Sequence, residues 1–122
     1  MILKNVTTLL ILLLSLSSSA QLQLTDASEI SVLTIGPGHL LNDSFGHSAI
    51  RVKDPLYNFD VVFDYGRYNF EAEGFYLNFA QGKLDYMLGR TAFDDFLSFY
   101  EYQNRSIQEQ QLNLSIEQKT AF

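Results

Sequence analysis

Two runs of strand-forming residues, separated by an Asp-Pro break, constrain the fold of this chain most strongly. The first, His47–Asp54, alternates between two faces, and the second, Asp60–Tyr65, is rich in Val and Phe. β-Branched and aromatic residues favour strands, whereas proline cannot continue a central strand because it has no N–H to donate. The two runs are therefore predicted to be antiparallel neighbours joined by a loop around Pro55–Asn58. Gly66 follows directly and predicts a turn or a bulge.

Three further segments have the composition of strands. Glu29–Gly36 is rich in Val, Ile and Thr without clean alternation, which is typical of a central strand buried on both faces. Lys83–Gly89 alternates apolar with polar residues, as a half-buried strand does, and Ser106–Ser115 is predicted as another strand. The segment between the first strand and His47 contains Gly36-Pro37-Gly38 and is predicted to be a loop.

A helix is predicted between the last two strands. Thr91 stands at the N-cap position with Asp94 three residues later. The apolar residues that follow fall on one helical face: Phe93, Phe96, Leu97 and Tyr100. A shorter helical turn is predicted within Glu71–Gly82. The fold class is therefore α+β, with an antiparallel sheet and packed helices.

Residues 1–20 have the pattern of a cleaved export signal. The apolar run Val6–Leu16 is shorter than the ~18–20 residues that span a membrane. Ser18 and Ala20 then occupy the −3 and −1 positions of a signal-peptidase site. The sequence thus predicts export to the periplasm or cell envelope, with a mature domain over residues 21–122. The absence of Cys excludes a lipid anchor, disulfides and a thiol nucleophile within this sequence.

The last residues of the sequence predict a helix. Ser115 and Gln118 have the spacing of a capping box, and the helix that they predict occupies Ile116–Phe122. Because an isolated helix this short is marginal, the sequence is expected to be the N-terminal part of a longer protein. The domain is then incomplete at its C-terminus.

The charge distribution excludes some partners. The formal net charge is −6 at pH 7, with no cluster of Lys or Arg, which argues against nucleic acid and anionic lipid surfaces. Gly36-Pro37-Gly38 is too short for a phosphate-binding loop, so no cofactor is expected. A small-molecule, peptide or lipid substrate, an exported or envelope protein partner and the oligomeric state all stay open.

His47 is the first candidate for chemistry. It follows Gly46 at the start of a strand, after a glycine-containing loop, so its ring can be reached from a cleft. Histidine is the side chain best suited to accept and return a proton near neutral pH. The alternative is a structural histidine that bonds a neighbouring carbonyl group.

Carboxylates on the adjacent strand could orient His47. Asp60 and Asp64 lie on one face of that strand, and a carboxylate that orients a histidine is a recurring arrangement. Asp60 is the first choice. Tyr65 lies on the other face of the strand. The alternative for this segment, which also contains Tyr68, is ordinary surface carboxylates and a core tyrosine.

A metal site is a separate alternative. His39, Asp43 and His47 are spaced by four, which on a helix would place them on one face and allow them to bind a metal ion. The surrounding Gly, Pro, Asn and Ser residues predict a loop instead. No metal is therefore expected, and His39 is interpreted as a solvated residue.

The order of several segments identifies a resemblance. "ISVLTIGPG", "SFGHSAIRVKDP", "DVVFDYGRYNF", "FYLNFAQGKLDYML" and "YQNRSIQEQQLNLS" together resemble the Lnb N-terminal periplasmic domain family from about Glu29 to Phe122. That family is similar to circularly permuted, NlpC-type, papain-like cysteine hydrolases.

The resemblance implies a mechanism. His47 would be the general base, and a Cys in an Asn-Cys-Thr-like segment beyond Phe122 would be the nucleophile. The complete protein would then be an amide or ester hydrolase or an acyltransferase, while the chain without Cys would be inactive. The rival hypotheses are a non-catalytic periplasmic binding or assembly module on the same fold, and a metal-dependent hydrolase using His39 and His47.

Overall fold

A computed structural model describes residues 23–121 of the chain. The predicted signal, residues 1–20, lies outside the described residues. Five strands form one antiparallel sheet in the order β4-β3-β2-β1-β5. Their bounds are β1 Glu29–Ile35, β2 His47–Asp54, β3 Phe59–Arg67, β4 Met87–Ala92 and β5 Ile107–Gln111. The α+β class with an antiparallel sheet is thus confirmed.

The β2–β3 hairpin sets the register of the sheet. The Asp54 carboxylate accepts a hydrogen bond from Leu56 N at 3.1 Å, and Pro55–Tyr57 forms one 3₁₀ turn. Asn58 closes the turn in the left-handed conformation with φ 50°, which asparagine tolerates better than most residues. Asp54 therefore pairs with Phe59, and the pairing continues along the strands to Ala49 opposite Asp64.

Asp54 also fixes the segment before β1. Its carboxylate is fully buried and accepts hydrogen bonds from Thr25 N at 2.8 Å and from Thr25 Oγ1 at 2.9 Å. Burial raises the pKa of Asp54, but the hydrogen bonds from Thr25 and Leu56 outweigh it and leave the pKa below its ordinary value. The negative charge is thus kept inside the fold because several donors surround it.

One helix covers one face of the sheet. Helix α2, Phe93–Tyr102, connects β4 to β5, which lie at opposite edges, so the helix crosses the sheet. Of the predicted apolar face, Phe96 and Tyr100 are buried against the sheet and Phe93 packs beside them, as the helical spacing predicts, whereas Leu97 is 42% exposed. The core between helix and sheet contains Leu33, Ile35, Ala49, Val62, Phe96 and Tyr100.

The boundary between β4 and α2 differs from the sequence prediction. β4 is Met87–Ala92 rather than Lys83–Gly89, and Thr91 lies within it. Thr91 is therefore not the N-cap; Ala92 occupies that position without a side-chain hydrogen bond. Residues 83–86, which were predicted to begin this strand, have no regular structure. Here the Tyr86 ring packs against Tyr65 and Tyr68.

The two shorter helices are α1, Phe75–Ala80, and α3, Ile116–Thr120. The capping box at the start of α3 is confirmed, because Ser115 Oγ accepts from Gln118 N and Gln118 Oε1 accepts from Ser115 N. Within residues 23–121, no helix has the length and apolar character needed to cross a membrane.

Replacing a core leucine tests the assignment of the sheet faces. Leu33→Ala, at a position with no exposed surface, should lower the free energy of unfolding by about 2–5 kcal/mol because it leaves a cavity. Leu88→Ala, at a position that is 68% exposed, should change it by less than ~0.5 kcal/mol. Urea denaturation measures both, and equal effects would contradict the structure.

Candidate functional site

His47 stands at the end of the sheet, where the chain enters β2. Its backbone pairs with Ile35, the last residue of β1. Gly46 has φ 78°, and a Cβ atom there would lie 2.6 Å from Ile35 O. Glycine at position 46 therefore lets the preceding loop approach β1 closely. This places His47 at the end of the sheet. The His47 side chain is 25% exposed, so the ring is neither solvated nor sealed in the core.

Asp64 is the carboxylate that contacts His47. The distance from His47 Nε2 to Asp64 Oδ2 is 3.2 Å. The pairing of Ala49 with Asp64 places the carboxylate two residues from His47 along the same sheet face. The Asp64 side chain is only 9% exposed, so the contact lies largely out of water.

Arg67 holds the other oxygen of the same carboxylate. Arg67 Nε and Nη2 donate to Asp64 Oδ1 at 3.0 and 2.8 Å, and Nη2 also donates to Thr91 Oγ1. A bulge at Gly66 shifts the β3–β4 register by one residue, so that Arg67 pairs with Met87. A one-residue shift moves a side chain to the other face of a sheet. The bulge therefore brings Arg67 to the face that carries Asp64.

The surroundings keep Asp64 ionised. The hydrogen bond from His47, followed by those from Arg67, lowers the pKa of Asp64 below its ordinary value, although burial acts in the opposite direction. At neutral pH the site thus contains a fixed negative charge between a guanidinium group and an imidazole ring.

This arrangement defines the chemistry available to the His47 ring. An ionised carboxylate only accepts hydrogen bonds, so Nε2 must carry the proton that points to Asp64. In the neutral ring Nδ1 is then the free acceptor, able to take a proton from another group. A negative partner also stabilises the imidazolium ion that forms when the ring accepts that proton.

The structure does not bring Asp60 to His47. Arg51 Nε and Nη2 donate to Asp60 Oδ1 and Oδ2 at 2.8 and 2.6 Å. Asp60 pairs with Lys53, near the hairpin turn and far along the strand from His47. This corrects the expectation that Asp60 orients His47. Both carboxylates share a face, but the antiparallel register places Asp64 at the histidine end.

A cavity of about 820 Å³ opens beside His47. Its wall combines the loop between β1 and β2, the end of β3 and one side of α2, including the buried Phe96 and Tyr100. The charged residues in the wall are Asp43, Asp64, Arg67, Asp95 and Arg105. Leu40, Phe70 and Phe99 also line it and are 60%, 56% and 56% exposed, so the cavity presents apolar side chains to solvent beside its charged ones.

The residues of the metal hypothesis do not share a helical face. Leu41–Asp43 forms only a 3₁₀ turn, and the Asp43 carboxylate accepts from Leu40 N and lies 3.7 Å from Arg105 Nη1. His39 is exposed in the preceding loop. Residues 23–121 hold no group of three or more His, Asp or Glu side chains arranged to bind a metal ion.

The two tyrosines Tyr65 and Tyr68 lie in different environments. Tyr65 is 65% exposed, whereas Tyr68 lines the cavity and packs its ring against Phe70 and Phe75.

Sequence reasoning did not identify Arg67, Thr91 or Arg105 as site residues. The available signal for Arg67 was the predicted irregularity at Gly66, because an odd residue in a strand reverses the faces that follow it. A glycine in a strand, here Gly89, was a second signal, because it often marks a close approach of another group. In the structure a Cβ there would overlap the Arg67 guanidinium group.

Comparison with protein-family models identifies the family of this chain. The model of the Lnb N-terminal periplasmic domain matches residues 17–122, and the chain belongs to that family. The family is defined by a periplasmic domain, which places this chain in the periplasm. No curated protein and no solved structure shows significant similarity to the chain.

The pH dependence of stability tests the state of Asp64. Asp64→Asn should lower the free energy of unfolding at pH 7 by about 1–3 kcal/mol, because it removes a charged acceptor from three hydrogen bonds. The folded-state pKa of Asp64 is depressed, so its contribution is complete above the ordinary value of ~3.9 and disappears as the pH falls through the lower folded value.

Urea denaturation of wild type and Asp64→Asn between pH 7 and pH 2 measures this difference. The gap between the two proteins should close in the acid range. Asp54 titrates in both proteins and cancels from the comparison. A gap that stays constant down to pH 2 would contradict an ionised Asp64.

Proposed function

We propose that the chain carries the general-base half of a site for acyl transfer from an amide or ester to a thiol. The observation that supports this most directly is the 3.2 Å contact between His47 Nε2 and Asp64 Oδ2 in the wall of the cavity. It leaves Nδ1 as the proton acceptor, and a carboxylate stabilises the resulting charge.

The proposed reaction has two steps. Nδ1 of His47 accepts the thiol proton, and the thiolate attacks the carbonyl carbon to form a C–S bond while the amine or alcohol leaves with the proton from His47. Water then hydrolyses the thioester, or a second amine or alcohol takes the acyl group. Since the 122-residue sequence contains no Cys, the thiol belongs to a segment or partner outside it.

The substrate is proposed to be a small molecule, peptide or lipid of the envelope that presents one apolar group. The exposed apolar side chains of Leu40, Phe70 and Phe99, which line the same cavity as His47, support this. The apolar group would lie against them, with the reacting carbonyl group facing His47.

A non-catalytic periplasmic binding or assembly module is the second candidate. Tyr65 and Leu88 are paired neighbours on the sheet face opposite α2, and they are 65% and 68% exposed. Adjacent exposed apolar residues favour contact with another protein. In this alternative the His47–Asp64 contact only stabilises the sheet end.

An added thiol allows the chain itself to be tested. In the presence of 2-mercaptoethanol, the rate of p-nitrophenyl acetate cleavage should include a part that rises with protein concentration, and His47→Ala should reduce that part at least about tenfold. This lies below the usual ~10²–10⁴ contribution of a general base because the added thiol is not held in position.

His39→Ala is the matched control, since His39 is the other histidine of the chain and is exposed. It should leave the thiol-dependent rate within about twofold. Equal losses in the two variants, or no loss in His47→Ala, would contradict the general-base proposal and favour the binding module.

A further inference from the structure

Arg67 reaches the Asp64 carboxylate because two glycines leave room for it. Gly66, in the bulge with φ 121°, lies beside the His47 ring, since a Cβ atom there would be 3.8 Å from His47 Cε1. Gly89 is buried in β4, and a Cβ atom there would overlap the Arg67 guanidinium group. The guanidinium group therefore lies against β4, next to the carboxylate that His47 contacts.

Asp64 divides its two oxygens between Arg67 and His47. Arg67 Nε and Nη2 donate to Oδ1 at 3.0 and 2.8 Å, whereas His47 Nε2 lies 3.2 Å from Oδ2. Thr91 Oγ1 accepts from the same Nη2 atom, so the guanidinium group is held on two sides. Because the Asp64 side chain is only 9% exposed, its charge is screened less than that of a surface carboxylate.

This division affects how readily His47 takes up a proton. An unshared negative charge beside the ring stabilises the imidazolium ion and favours the protonated form. A protonated ring has two donors and no acceptor, so it cannot act as a general base. The positive charge of Arg67 offsets that of Asp64 and therefore favours the neutral ring.

Other groups around the cavity act on this balance less directly. The remaining charged or titratable side chains that line it are Asp43, Tyr68, Asp95, Tyr100 and Arg105. Asp43 Oδ2 lies 3.7 Å from Arg105 Nη1, so these two charges largely offset each other, and Asp95 is exposed to water. Burial raises the pKa of Tyr100, so its hydroxyl group is uncharged near neutral pH. The direct ion pair to Asp64 therefore dominates.

We propose that Arg67 is a positioning residue that acts on His47 through Asp64: by offsetting the charge of the carboxylate, it keeps the ring neutral and able to accept a proton near neutral pH. This rests on the proposed function, because it concerns the same general base. If Arg67 only held Asp64 in place, its loss would weaken the contact with His47 and make the ring harder to protonate. The proposal requires the opposite sign.

Arg67→Gln tests this sign, because glutamine keeps an N–H donor for Asp64 and removes the positive charge. The pH midpoint at which the His47 ring is half protonated can be followed by the NMR signal of its Cε1–H group in the ¹³C-labelled chain. That midpoint should rise by about half a pH unit or more in Arg67→Gln. His39, which is exposed, titrates in the same spectra and should not move.

Arg51→Gln is the matched control. Arg51 is also paired with an aspartate of β3, Asp60, but toward the hairpin turn and away from His47. Its removal should leave the His47 midpoint within about 0.2 pH unit of wild type, because the effect of a charge falls off with distance.

Gly89→Ala is a second test that keeps the charge in the chain. The added methyl group would occupy the position of the Arg67 guanidinium group and displace it from Asp64. The His47 midpoint should rise as it does in Arg67→Gln. This variant decides the question if Arg67→Gln does not fold.

The pH profile of the thiol-dependent cleavage gives a readout that a general loss of structure would not move. The ionisation of the added thiol is common to both proteins, so it cancels from the ratio of the Arg67→Gln rate to the wild-type rate. That ratio should rise about threefold or more from acid to alkaline pH, which is the change in neutral ring that half a pH unit produces. A ratio that is lowered equally at every pH would contradict the proposal.

An unchanged or lower His47 midpoint in Arg67→Gln would overturn the proposal, as would an equal rise in Arg51→Gln. The ring titration requires no thiol and no substrate. A negative titration result therefore leaves the general-base proposal intact, and an unchanged cleavage rate in His47→Ala leaves the effect of Arg67 on the ring intact.

Discussion

The register of the β2–β3 hairpin is the constraint on which the candidate site depends. Position 54 pairs with position 59 because of the Asp54 carboxylate, the turn Pro55–Tyr57 and the left-handed conformation of Asn58. Every pair farther along the strands follows from that choice. A slip of one residue would turn Asp64 to the opposite face, away from His47. A buried carboxylate at the turn thus determines which carboxylate reaches the histidine at the far end.

The strand pair, the bulge at Gly66 and the capping box of Ser115 could be predicted because each depends on local chemistry. The partner of His47 could not be chosen from the face alone, because Asp60 and Asp64 have the same alternation. Counting residues from the turn would have distinguished them, but that requires the turn conformation. Thr91 shows the reverse case: a residue with a good capping side chain lies in β4, where it accepts a hydrogen bond from Arg67, because sheet pairing outweighs local preference.

Two charged clusters on one face of the sheet have different consequences. Arg51 joins Asp60 to Glu109 and lies with its guanidinium carbon 3.4 Å from the centre of the Phe93 ring. Each of its nitrogens thus has a carboxylate partner, and one face of its guanidinium plane is covered. Arg67 also engages Asp64, yet it leaves the second carboxylate oxygen to a histidine beside a cavity. The partners of Arg51 are two carboxylates and an aromatic ring of the fold. In the Asp64 cluster, one partner is instead the imidazole ring of His47, which can exchange protons.

The position of the proton on the neutral His47 ring tests the proposed general base most directly. The ¹⁵N chemical shifts of Nδ1 and Nε2 distinguish the two tautomers. In the neutral ring we expect a protonated Nε2 that donates to Asp64 and an unprotonated Nδ1. A proton on Nδ1 in the neutral ring would contradict the proposal, because Nδ1 could then accept no proton and Nε2 could not donate to Asp64.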